Sequence, residues 1–193
     1  MTTLTVVQKD GVAAVAADTQ ITGGSVKCPP GFQRGGSKIV PVNGSYIAVS
    51  GSTANTLVLR SLVKNRAQEF DLSSGDSIFE TFRKLHKTLV DDYYVKTEQD
   101  DDNQEYESNQ LSILIAGGTG IYEQQSYREV IQFERFWATG SGYRFALGAM
   151  EALYDDASLS AVEIAEQGVR IACQFDVNSG LPIESYVVKL ETS

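Results

Sequence analysis

The sequence predicts an α+β fold in which two antiparallel sheets lie face to face between layers of helix. Segments with strand and helix patterns follow one another as strands, two helices, strands, two helices and a last strand. Helices therefore come in consecutive pairs and do not alternate singly with strands, which argues against a doubly wound parallel sheet. The first two strand segments are joined through Lys9-Asp10-Gly11, and Asp-Gly between β-type runs is a strong hairpin signal.

Taken in order, Leu4 to Gln8 and Val12 to Ala17 are short runs rich in Val, Thr and Ala, and form the opening hairpin. Ile21 to Lys27 can continue as strand. Cys28 to Ser37 carries two prolines and three glycines and is loop. Lys38 to Val42 and Ser45 to Val49 make a second pair around Asn43-Gly44. From Thr53 to Ala67 the apolar residues Ala54, Leu57, Val58, Leu62 and Val63 recur at helical spacing behind Gly51-Ser52-Thr53. Ser77 and Glu80 read as a capping box ahead of Ile78, Phe82, Leu85, Leu89 and Tyr93, a second amphipathic helix. Glu98 to Glu107 is an acidic run that reads as a solvated loop.

Leu111 to Ala116, Ile121 to Gln125, Glu129 to Phe133 and Phe136 to Thr139 read as four strands, with Gly117-Gly118-Thr119-Gly120 turning between the first two. After Gly140-Ser141-Gly142 come a helix from Tyr143 to Leu153 and another behind the capping box Ser160 to Glu163, with Ala161, Ile164, Ala165, Gly168, Ile171 and Ala172 on one face. Glu184 to Leu190 is the last strand. No internal repeat or linker divides the chain, so residues 1–193 are expected to form one domain.

Composition narrows the function. Apolar residues make up 42% and charged residues 21%, and no window approaches the roughly 18 uninterrupted apolar residues of a membrane span. The start lacks the basic region and cleavage site of a secretory signal, so a cytoplasmic protein with no membrane partner is expected. A net charge of -9 argues against nucleic acid, whose binding rests on Lys and Arg neutralising phosphates. Cys28 and Cys173 have no CxxC spacing; neither a disulfide framework nor a metal site is implied, and Cys173 is expected to be a buried free thiol.

A serine-protease triad needs histidine, and the one histidine, His86, sits in the charged segment Arg83-Lys84-Leu85-His86-Lys87, where an ordinary surface role is expected. No zinc spacing and no GxxxxGK[ST] loop is present, and no cofactor is called for. What remains is Thr2-Thr3 behind the initiator methionine, which aminopeptidase generally removes before a small residue. A terminal threonine can then use its own α-amine as base. With reference pKa values of about 8 for an α-amine and about 10.4 for lysine, roughly 10% of the amine but about 0.04% of a lysine is neutral at pH 7.

Thr2-Thr3 leading a strand, Ala16-Ala17-Asp18 closing the next, Lys38 opening another, Gly140-Ser141-Gly142 through Met150, and Asp176-Val177-Asn178-Ser179-Gly180 together resemble the proteasome β-subunit family, including its HslV-type members. The resemblance spans the chain and looks closest to the small proteasome homologues of betaproteobacteria. It implies an N-terminal-nucleophile hydrolase fold, a four-layer α-β-β-α sandwich, and a threonine endopeptidase with Thr2 as nucleophile once Met1 has left. It further implies that Lys38 lowers the pKa of the Thr2 hydroxyl, that Asp18 holds Lys38, and that Ser141, Asp176 and Ser179 orient the amine. Lys27 is the rival to Lys38, because the Cys28 to Ser37 loop is longer than relatives carry. Gly51 is the oxyanion-hole candidate. Stacked homo-oligomeric rings, peptide or unfolded-protein substrates and an ATP-dependent unfoldase partner are the family's implications. The alternatives are a catalytically silent ring that retains Met1, and an amidohydrolase of the same fold acting on a small molecule.

Overall fold

A computed structural model of the protein describes residues 2–23, 25–28, 32, 36–97 and 106–191. Strands β1 (Thr3–Lys9) and β2 (Val12–Asp18) join through Asp10 and Gly11, both at positive φ (51° and 73°). Two consecutive positive φ values match the right-handed twist of the flanking strands, which is why Asp-Gly closes this hairpin. Asn43 and Gly44, at 47° and 80°, repeat the device between β5 (Ile39–Val42) and β6 (Ser45–Ser50).

The stretch from Ile21 is not one strand. It folds back as a ribbon of β3 (Ile21–Gly23) and β4 (Val26–Cys28), with Ile21 opposite Cys28. A three-residue strand cannot bury a face, so no apolar alternation marked the reversal in the sequence.

Helix α1 (Thr53–Arg66) starts at Ser52, whose side chain accepts from the Ala54 N–H, and a turn of 3-10 helix (Ala67–Glu69) follows. Helix α2 (Gly75–Asp91) starts earlier than expected. Ser74, not Ser77, is its N-cap and accepts from the Ser77 N–H at 3.1 Å, so Ser77 sits in the first turn and Tyr93 lies past the last one. The Ser77/Glu80 spacing imitated a capping box, but Glu80 is paired instead with Arg83 at 2.7 Å.

Strands β7 (Ser112–Gly117), β8 (Gly120–Gln124), β9 (Val130–Phe133) and β10 (Phe136–Gly140) precede α3 (Tyr143–Leu153), α4 (Ala161–Phe175) and β11 (Ile183–Lys189). Ser160 and Glu163 form the expected capping box of α4. The strand order is β10-β1-β2-β11 in one sheet and β5-β6-β7-β8-β9 in the other, all antiparallel.

Side-chain alternation then builds four layers. On β6 and β7, Ile47, Val49, Ile113 and Ile115 pack outward against Leu59, Leu62, Phe82 and Leu85 of α1 and α2. The intervening Ala48, Leu114 and Ala116 meet Leu4, Val6, Ala13 and Val15 between the sheets. The other face of β1 and β2, with Val7, Ala14 and Ala16, packs on Ile164, Val169 and Ala172 of α4. Strands covered on both faces lose polar alternation, which explains the near-continuous apolar reading of Val12 to Ala17. The result is the α-β-β-α sandwich. No helix among the described residues is long and apolar enough to cross a membrane.

Of the acidic run, residues 98–105 lie outside the described residues. Glu107 accepts from His86 at 3.0 Å through its carboxylate and from Arg128 at 2.7 Å through its carbonyl. His86 is thus not a plain surface residue; its side chain is 16% exposed and sits between these two partners.

Reassignment of the α2 cap is checked by substitution. Ser74→Ala should cost about 1 kcal/mol of unfolding free energy, and Ser77→Ala less than about half that, by denaturant titration followed by far-ultraviolet circular dichroism. Equal losses would restore Ser77 as the cap.

Candidate active site

Asp18 is the last residue of β2, Thr2 immediately precedes β1 beside it, and Lys38 immediately precedes β5 of the opposite sheet. The ends of three strands therefore deliver an acid, a hydroxyl and an amine to one end of the sandwich. Lys38 Nζ donates to Thr2 Oγ1 at 2.5 Å and to Asp18 Oδ1 at 2.8 Å, and Thr2 Oγ1 donates to the same carboxylate oxygen. Thr2 is 2% exposed and Asp18 fully buried. The Lys38 carbonyl is held by the Val49 N–H at 2.9 Å, which ties the loop exit to β6.

A buried carboxylate is tolerated only when its lone pairs are taken up. Besides Lys38 and Thr2, Asp18 accepts from the backbone N–H groups of Thr3 (2.9 Å), Gln20 (3.1 Å) and Gly180 (3.1 Å). Burial pushes the Lys38 ammonium below its ordinary value of 10.5, and the charge and hydrogen bond of Asp18 oppose that shift without cancelling it.

A second network lies on the other side of Thr2. Asp176 follows the last turn of α4, and its Oδ2 accepts from Ser141 Oγ and Ser179 Oγ, each at 2.6 Å. Burial raises the Asp176 carboxyl, but the bonds from Ser141, Ser179 and Asn178 outweigh it and leave the group below its ordinary value of 3.8. Ser141 N–H donates to the Thr2 carbonyl at 2.7 Å, and Ser179 Oγ lies 2.7 Å from Thr3 Oγ1. Ser141, Asp176 and Ser179 thus converge on Thr2 and Thr3.

The sequence Gly140-Ser141-Gly142 has a steric reason here. Gly140 has φ +96°, and a Cβ built on it would stand 2.1 Å from the Thr2 carbonyl oxygen. A Cβ on Gly142 would stand 2.2 Å from Thr3 Oγ1. Backbone and hydroxyl cannot approach so closely past any side chain.

Thr2 and Lys38 open onto a cleft of about 200 Å³ that Gly51 also lines, at φ +100°. Lys27, the rival lysine, lies exposed on β4 and does not line this cleft. Two residues given no role from the sequence belong to the site. Thr3 contributes both its N–H and its hydroxyl, and Gln20 lines the cleft while its amide donates to the Val177 carbonyl at 3.1 Å. Polar residues at the ends of otherwise apolar strands were the available signal. Cys173 is a free, half-buried thiol, not a fully buried one, and burial raises it to about 11, with the Asp18 charge adding to the shift. Among the described residues no cluster of His, Cys, Asp or Glu could hold a metal ion.

The chain matches the proteasome subunit family over residues 1–188. It is 28% identical to a proteasome subunit beta of Nanoarchaeum equitans, covering 93% of this chain and 88% of that one. It is also 28% identical to the ATP-dependent protease subunit HslV of Desulfovibrio desulfuricans, covering 91% of each. Among solved structures, Thiobacillus denitrificans BPH superposes with a TM-score of 0.91 at 38% identity, over 99% of this chain and all of that one. A second structure of that protein, in complex with epoxomicin, gives 0.89 at 36%, over 98% of this chain and all of that one.

Because Asp18 holds up the Lys38 charge, Asp18→Asn should move the Lys38 titration further below 10.5 and cost about 3 kcal/mol of stability by leaving a buried ammonium unpaired. Carbon-13 NMR of the lysine Cε reads the first and chemical denaturation the second. An unmoved titration would mean that Asp18 is not the controlling charge.

Proposed function

The chain belongs to the proteasome subunit family, and from that premise we propose that it is an N-terminal-threonine peptidase hydrolysing peptide bonds within a ring assembly. The observation that carries the reading is Lys38 Nζ at 2.5 Å from Thr2 Oγ1, with Asp18 bonded to both.

With Met1 removed, the α-amine of Thr2 takes the hydroxyl proton as Oγ1 attacks the scissile carbonyl carbon. A C–O bond forms, and the carbonyl pair moves onto oxygen, toward the N–H of Gly51 as the proposed oxyanion donor. The C–N bond then breaks, the leaving amine receives the proton held by the α-ammonium, and an ester on Thr2 Oγ1 remains. Water hydrolyses that ester with the α-amine again as base, and releases the acid. A cation about 4 Å from a developing alkoxide stabilises it by roughly 4 kcal/mol at an effective dielectric of 20. Lys38 supplies that cation and Asp18 orients it. Ser141, Asp176 and Ser179 hold the Thr2 backbone so that its amine faces the hydroxyl.

The same reading puts the chain in the cytoplasm, in stacked homo-oligomeric rings, acting on peptides or unfolded protein. The similarity to a subunit called ATP-dependent supports an unfoldase partner.

Intact-mass analysis of the protein from its native host, with a threonine-directed epoxyketone probe, tests the reading. The expected result is a chain lacking Met1 that carries one probe on Thr2, with Thr2→Ala unlabelled and its peptide hydrolysis reduced by at least about a thousandfold. Retention of Met1 throughout, without labelling, would show a silent ring instead.

The pH profile has a definite sign. kcat/KM should rise as the α-amine loses its proton and fall as Lys38 loses its charge, and since burial lowers Lys38 the alkaline limb should lie below 10.5. Lys38→Arg, which stays charged, should lack that limb even if slower overall.

A further inference from the structure

The mechanism places its oxyanion donor on an exposed turn. Gly51 leads from β6 into α1 at φ +100°, and Gly51, Ser52, Thr53 and Ala54 all face solvent. A glycine in such a turn has several backbone conformations open to it, whereas an oxyanion donor acts only if it is in position before the charge develops. Something must hold Gly51 in place.

The residues flanking the turn supply the restraint. Ser50, the last residue of β6, donates from Oγ to the Ser112 carbonyl at 3.0 Å. Asn55, in the first turn of α1, donates from Nδ2 to the Gln110 carbonyl at 2.8 Å. The two acceptors stand two residues apart on the segment that enters β7, so one piece of chain clamps both ends of the turn. The Asn55 carboxamide also lies against the glycine itself, since a Cβ built on Gly51 would stand 3.3 Å from Asn55 Nδ2.

That segment is itself held by side chains. Ser108 and Asn109 are fully buried, and the Asn109 N–H donates to the Ser126 carbonyl at 2.7 Å. Gln110 has φ +58°, uncommon for a residue with a Cβ; its N–H donates to Ser108 Oγ and the Leu111 N–H to Asn109 Oδ1, each at 3.0 Å. The Gln110 carbonyl is thereby fixed facing α1.

Resting on the peptidase reading above, we infer that Asn55 is a positioning residue for the oxyanion hole, its amide acting with the Ser50 hydroxyl to fix the Gly51 peptide against the entry to β7. The partner of Asn55 is a carbonyl, so the position requires a donor, and a carboxylate of the same shape has no N–H to give. A carboxylate in the first turn of a helix nevertheless favours the helix. Asn55→Asp therefore removes the clamp while sparing the fold.

The test uses assembled, Met1-free protein, one fluorogenic peptide and epoxyketone labelling of Thr2 run in parallel. Asn55→Asp should keep the thermal midpoint of the wild type, while kcat falls about tenfold and KM stays within about twofold; loss of an oxyanion donor itself costs roughly 100- to 1,000-fold. Labelling, in which the probe's ketone carbonyl is attacked in the same way, should slow by a similar factor. Ser50→Ala should act in the same direction, and Ser50→Thr, which keeps the hydroxyl, should retain most of the activity. A wild-type kcat in Asn55→Asp overturns this inference alone, as does a loss of kcat that only follows a lowered thermal midpoint. Failure of the wild-type protein to label on Thr2 or to cleave the peptide overturns the peptidase reading and the inference with it.

Discussion

The carboxylate of Asp18 organises this end of the molecule. It lies wholly out of water, and a charge so placed is tolerated only if the fold brings donors to it from several directions. The donors come from the chain start (Thr2 hydroxyl, Thr3 N–H), the turn after β2 (Gln20 N–H), the segment entering β5 (Lys38) and the turn after α4 (Gly180 N–H). Each is brought by a different element, so satisfying one carboxylate fixes how both sheets and α4 meet. Asp18 is therefore at once a structural requirement and the reason Lys38 stands at the Thr2 hydroxyl. Removing it would leave an ammonium with the cost of burial and without its partner.

Much of the fold was legible because its punctuation is chemical. Asp10-Gly11 and Asn43-Gly44 can each take two successive positive φ values, and both closed hairpins where the spacing placed them. Ser160 and Glu163 satisfy each other's backbone donors, which singles out one start for α4. Where the signal had two solutions, the sequence misled. Ser74 and Ser77 both precede the apolar face of α2, and it is the Ser74 side chain that takes up the Ser77 N–H of the first turn. The β3–β4 ribbon carries no buried face to reveal it, and strand order depends on contacts between distant segments that no local pattern encodes.

The site was legible as a set of residues but not as a geometry. In the sequence Lys38 was set above Lys27 only by the apolar strand it opens; in the structure Lys38 enters β5 beside the cleft, while Lys27 lies exposed on β4 and does not line it. Thr3 and Gln20 were given no role because each resembles an ordinary polar residue beside a strand, and their roles exist only once Asp18 and Ser179 are opposite them. Gly140 and Gly142 illustrate the converse. Their presence was evident, yet the reason lies in the passage of Thr2 and Thr3 through space that a Cβ would fill.

Lys38 serves two opposed demands. Proximity to the Thr2 hydroxyl requires it to be enclosed, and enclosure favours the neutral amine, whereas the proposed mechanism requires the ammonium. Asp18 resolves part of the conflict by charge and by a direct bond. The half-buried thiol of Cys173 bears on the same balance. Raised to about 11, it stays uncharged at neutral pH and does not draw on the Lys38 charge as a thiolate would. Asp176, the other acid nearby, is engaged by Ser141 and Ser179. One carboxylate is thus bonded directly to the ammonium and the second acts on it only at a distance, so the ammonium remains directed at Thr2 Oγ1.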